Sequence, residues 1–115
     1  ILRLETVEDG VPAAARLTEL FVEDMEGQMR EAGIGDPTVG KMMGRMMATL
    51  GGRAGSLRDA LASPEDALLA EVVSRNMHLT EDEHAPARMA EGLRALHGDL
   101  ARTDFEMLRG GEIAR

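Results

Sequence analysis

Apolar side chains that return every three or four residues commit a chain to helix, and Leu17, Leu20, Phe21, Met25 and Met29 do so between about Pro12 and Ala32. That spacing places all five on one face of a helix. Composition extends the constraint to the whole chain. Two Phe, no Trp and no Tyr, with few β-branched residues, leave little that packs well on a pleated sheet, whereas Ala, Leu, Met, Glu and Arg are abundant. The expected fold is all-α, a compact bundle of about five helices forming one domain over residues 1–115. Residues 1–10, ending in Val-Glu-Asp-Gly, read as the frayed end of an element that starts earlier, and the chain opens on Ile1 rather than Met.

Punctuation along the chain sets the expected boundaries. Gly33 and Gly35 stop the first helix, and Asp36-Pro37 favours a turn or a new helix start. A second helix is expected from Thr38 to about Leu50, where Gly51-Gly52 should kink or interrupt it before Arg53-Ala54-Gly55-Ser56-Leu57 resumes. Ser63, Pro64 and Asp66 have the order of an N-cap, a first-turn proline and an acid three residues after the cap, opening a third helix to about His78. The acidic stretch Leu79 to Pro86 is the expected loop, followed by a helix to about Leu100. Thr103 with Glu106 has the spacing of a capping box for a short last helix.

Charge and cysteine content narrow the chemistry. Asp and Glu number 21 against 13 Lys and Arg, and a net charge of -8 repels polyphosphate, which argues against nucleic acid as a direct partner. Cysteine is absent, so disulfides and thiolate chemistry are excluded, in keeping with a reducing compartment. No run of apolar residues approaches the roughly 20 needed for a membrane span, and no signal peptide is visible.

Three motifs suggest catalysis or cofactors and fall short of them. Gly35 to Lys41 has the spacing of a phosphate loop, but Met42 stands where the magnesium-binding hydroxyl is needed and a helix precedes it instead of a strand. Glu81 and His84 form one Glu-x-x-His pair where a di-iron bundle needs two. His97 with a methionine offers no more than an axial-ligand pair, with scant aromatic cover for a haem. No metal, no cofactor and no enzymatic activity are expected. The rival is a metal- or haem-binding redox bundle using His78, His84 or His97.

Four of the nine methionines fall within Gly40 to Met47, flanked by Lys41 and Arg45. On a helix Met42 and Met46 share a face with Leu50, Met43 and Met47 lie about 100° round, and Lys41 and Arg45 form a cationic ridge. So many apolar positions are wider than one core-facing stripe, and an exposed methionine surface adapts to varied apolar partners. Lys41, Met42, Arg45 and Met46 are therefore the expected client-binding residues.

The stretch Leu20 to Arg53 resembles the signature region of the ubiquinol-cytochrome c chaperone family. The matching positions are Leu20, Phe21, Asp24, Met25, Arg30, Glu31, Gly33, Ile34, Gly35, Asp36, Val39, Lys41, Arg45, Met46, Gly52 and Arg53, with Arg75-Asn76 resembling a later element. Thr49, Leu50 and Gly51 stand where many members carry a Phe-Tyr pair. The resemblance implies an all-α, non-enzymatic assembly factor that holds newly made cytochrome b for the ubiquinol-cytochrome c reductase complex. It also implies a small helper subunit or the ribosome as partner, and an upstream apolar helix of which residues 1–10 would be the tail; the Arg-rich, Lys-poor composition suggests a bacterial member in the cytoplasm, peripheral to the inner membrane. Asp24, Arg30, Gly33, Gly35, Asp36 and Arg53 are expected to be structural members of the motif.

Overall fold

A computed structural model describes residues 1–114. Among these the fold is all-α: a 3-10 turn at Leu4–Thr6 and five helices, α1 (Gly10–Glu31), α2 (Asp36–Ala62), α3 (Asp66–Asn76), α4 (Ala85–Arg102) and α5 (Phe105–Arg109). The chain divides into two compact units, Ile1–Gly52 and the part from Arg53 onward, and α2 runs through the boundary.

In the first unit the 3-10 turn lies directly against the start of α1. A Cβ on Gly10 would stand 1.9 Å from the Leu4 carbonyl oxygen and 2.5 Å from a Val7 methyl, so only glycine fits this approach. The end of α1 is set by Gly33 at φ 86. With it, the Ile34 N–H donates to the Met29 carbonyl at 3.1 Å and the Gly33 N–H to the Arg30 carbonyl at 2.9 Å, the paired bonds of a Schellman cap.

The buried side of α1 differs from the expected one. Met25 and Met29 are half-buried, but Leu17, Leu20 and Phe21 are exposed at 48%, 46% and 37%. Gly10 and Ala14 are buried, and Thr18 and Val22 half-buried, on the inward side instead. Thr18 tolerates that place because its hydroxyl donates to the Ala14 carbonyl at 2.9 Å.

Helix α2 is continuous for 27 residues and passes through Gly51 and Gly52 without a break. Neither glycine has a positive φ, and a helical glycine costs about 1 kcal/mol against alanine without forcing a stop. Ser63 does not cap α3, whose N-cap residue is Glu65; the Ser63 N–H belongs to the last turn of α2, donating to the Asp59 carbonyl at 3.2 Å. Its hydroxyl accepts from the Glu65 N–H at 3.2 Å, and α3 begins two residues after Pro64.

The second unit closes around Leu69 and Ala60, both fully buried, with Val72 and Ala90; Leu57, Leu61, Ala70 and Leu93 pack against this core. Arg94 of α4 secures the α2–α3 connection. Its guanidinium donates to the Ser63 carbonyl at 3.1 Å, the Leu61 carbonyl at 3.4 Å and the Asp66 carboxylate at 2.7 Å. It thereby supplies donors where α2 runs out of its own N–H groups.

The loop before α4 is organised by Asp82, which accepts from the His84 N–H at 2.8 Å and from the Arg88 guanidinium at 2.6 Å. The Arg88 hydrogen bond, followed by that from His84, holds the Asp82 carboxyl below its ordinary range. At the other end of α4, Thr103 is fully buried. Its hydroxyl donates to the Asp99 carbonyl at 2.8 Å and accepts from the Ala114 N–H at 2.9 Å. The cap of α5 is Asp104, whose carboxylate accepts from the Met107 N–H at 2.8 Å, so the expected capping box of Thr103 and Glu106 does not form.

Four outcomes follow for equilibrium unfolding. Gly33→Ala should cost about 1–2 kcal/mol because alanine resists the left-handed backbone, whereas Gly44→Ala, with nothing near its Cβ and ordinary φ, should gain about 0.5–1 kcal/mol. Arg94→Met should cost about 1–3 kcal/mol by leaving carbonyls at the end of α2 without donors. Asp82→Asn should lower the thermal midpoint at neutral pH. A depressed carboxyl pKa stabilises the fold above the unfolded pKa and ceases to do so as pH falls through the folded value, so the gap from wild type should shrink in acid.

Candidate functional site

The first turns of α2 present two unlike sides. Val39 is 1% exposed and Met43 5%, while Met46, Met47 and Leu50 are half-buried, forming the inward stripe. Helical geometry then turns Lys41, Met42 and Arg45 outward. All three are exposed, Met42 at 36%. Among the described residues Lys41 and Arg45 make no salt bridge and no side-chain hydrogen bond. Two solvated cations thus flank an exposed methionine, Met42, and the neighbouring Met46 is half-buried.

Sequence reasoning overlooked the neighbouring surface. Gly40, Gly44 and Ala48 are exposed, four residues apart, and no heavy atom outside the local helix lies within 4 Å of a Cβ built on either glycine. Beside Lys41 and Arg45 the α2 backbone is therefore bare, and another helix can approach it closely. The spacing of small residues was the available signal.

The turn between α1 and α2 is pinned by charge. Arg30 Nε donates to Asp36 Oδ1 at 3.0 Å, and Arg30 also lies 3.7 Å from Glu26. The Asp36 hydrogen bond is the main cause that raises the Arg30 pKa. Asp24 accepts from the Gln28 side-chain amide at 2.9 Å and touches no cation in the described residues. Gly35 has an ordinary φ and open space around it, and its carbonyl accepts from the N–H groups of Thr38 and Val39, both at 3.0 Å. Arg53 is exposed and makes neither a salt bridge nor a side-chain hydrogen bond among the described residues.

His78, His84 and His97 are all exposed, and among the described residues no three His, Asp or Glu side chains converge as metal ligands. No helix there is long and apolar enough to cross a membrane.

Among the described residues the fold is that of an all-α protein. Residues 2–114 match the ubiquinol-cytochrome C chaperone family, and the chain belongs to that family. Among solved structures it is similar to the crystal structure of the Cbp3 homolog from Brucella abortus, at 26% identity and a TM-score of 0.77, covering 98% of this chain. The chain spans 64% of the length of that protein's chain. No match to a curated protein was found.

Burial separates neighbouring methionines and is directly testable. Met43→Ala should destabilise the fold by about 2–4 kcal/mol, whereas Met42→Ala should change the unfolding free energy by no more than about 0.5 kcal/mol.

Proposed function

We propose that this protein assists assembly of the ubiquinol-cytochrome c reductase complex by reversibly capturing an apolar segment of newly made cytochrome b. Met42 and Met46 supply adaptable apolar contact, since an unbranched thioether side chain fits differently shaped partners. Lys41 and Arg45 orient the segment, and the bare backbone at Gly40, Gly44 and Ala48 lets a client helix lie close. The mechanism is binding and release, with no catalytic step, metal or cofactor.

The observation that carries this proposal is the contrast between Met43, sealed at 5% exposure, and Met42, left open beside two unpaired cations. Core packing accounts for the first methionine and leaves the second without a structural task. Family membership supplies the reductase complex as the setting. A small helper subunit or the ribosome would bring the protein to its client, and contact with the inner membrane from the cytoplasmic side would be peripheral.

The test is crosslinking of the full-length protein to cytochrome b during its synthesis. Met42→Ser with Met46→Ser should retain the fold by circular dichroism and reduce captured cytochrome b at least about tenfold, the equivalent of 1.4 kcal/mol. Lys41→Glu with Arg45→Glu, both fully on the surface, should reduce capture without touching the core. Unchanged capture in both variants would exclude this face as the client site.

A further inference from the structure

The second unit holds a cleft that the proposed client face does not use. Its floor is apolar, made by Leu57 of α2, Val72 and Val73 of α3 and Leu93 of α4. The two valines are among the most buried side chains of the chain, at 3% and 2% exposure. Met77 stands at the mouth and is 47% exposed. The cleft encloses about 170 Å³, less than the roughly 300–1,000 Å³ of small-molecule sites, which suits a single apolar side chain.

Its polar rim is one-sided. The Val72 carbonyl already accepts from the Asn76 side-chain amide at 2.8 Å, and the Val73 carbonyl from the Met77 N–H at 3.0 Å. Arg53, the other polar residue lining the cleft, has no partner among the described residues. Guanidinium offers a fork of N–H donors matched to a carboxylate. What the rim lacks is therefore an anionic acceptor placed next to an apolar anchor.

We propose that this cleft binds a protein segment carrying a Leu-, Met- or Phe-sized side chain and a single carboxylate within about one helical turn of it. The apolar side chain enters over Val72 and Val73, and the carboxylate pairs with Arg53. One carboxylate is favoured over an acidic run because the chain's net charge of -8 repels further negative charge at long range. The attraction is local and acts on the bound state. This proposal stands apart from the capture of cytochrome b at the α2 methionines, which involves none of these residues.

A random peptide library displayed on phage, panned on the folded wild-type protein and counter-selected on Arg53→Gln, tests it. Selected peptides should pair Asp or Glu with Leu, Met or Phe, and on titration should shift the methyl resonances of Leu57, Val72 and Leu93. Binding should weaken about three- to fivefold on Arg53→Gln, the scale of an exposed ion pair. Replacing the peptide carboxylate by its amide should give the same loss on wild type and no further loss on the variant. Arg53→Gln should fold normally, judged by an unchanged thermal midpoint, and Met42→Ser with Met46→Ser should bind these peptides as wild type does. The idea fails if no Arg53-dependent peptide is enriched, if the shifts map away from the cleft, or if Arg53→Gln weakens acid and amide peptides equally.

Discussion

The second unit depends on the meeting of Leu69 with Ala60 and Ala90. Leu69 and Ala60 are fully buried and Ala90 is 1% exposed, so a large side chain on α3 is enclosed beside two small ones on α2 and α4. Two methyl groups in place of longer side chains let the helices come near enough for close packing around Leu69. That proximity also lets Arg94 reach back to the carbonyls of Leu61 and Ser63. The end of α2, the start of α3 and the body of α4 are thus fixed by one apolar contact and one guanidinium, and the cleft lined by Leu57, Val72 and Leu93 is the part of that same packing left open.

The candidate surfaces of this protein arise from what the core leaves over. In the first unit the inward stripe of α2 takes Val39 and Met43, and the cationic side with Met42 stays in water. Methionine suits both places, as filler against irregular neighbours and as a pliable side chain left at the surface. Lys41, Arg45 and Arg53 have no salt-bridge partner in the described residues, while Arg16, Arg30, Arg75, Arg88, Arg94, Arg102 and Arg109 are paired with nearby acids. In a chain with a large excess of carboxylates, a cation left unpaired is the exception. Those exceptions lie at the α2 face and at the rim of the cleft.

Much of the candidate site was legible because it rests on local periodicity. A rotation of about 100° per residue separates Met42 from Met43, and a spacing of four aligns Lys41 with Arg45, but periodicity left open which methionines face inward; the structure buries Met43, half-buries Met46 and leaves Met42 exposed. The Arg30–Asp36 pair spans a turn short enough for two side chains to meet. The cleft was not legible, since Arg53, Leu57, Val72 and Leu93 come from three helices and nothing in their spacing brings them together. Exposure of Leu17, Leu20 and Phe21 was hidden for a related reason: periodicity reports that a helix has an apolar face, and the neighbours decide which part of it is covered.

By itself the sequence determined the all-α class, the family, the stop of α1 at Gly33 and the start of α4 near Pro86, because backbone propensity and left-handed glycine act within a few residues of where they stand. Only the tertiary structure decided that Ser63 serves α2 rather than α3 and that Thr103 is buried to hold the chain near Ala114. Each of these is a competition between a local preference worth about 1 kcal/mol and the burial or hydrogen bonding of groups from elsewhere in the chain. Local preference wins where nothing opposes it, and packing wins where the sum of distant contacts exceeds that amount.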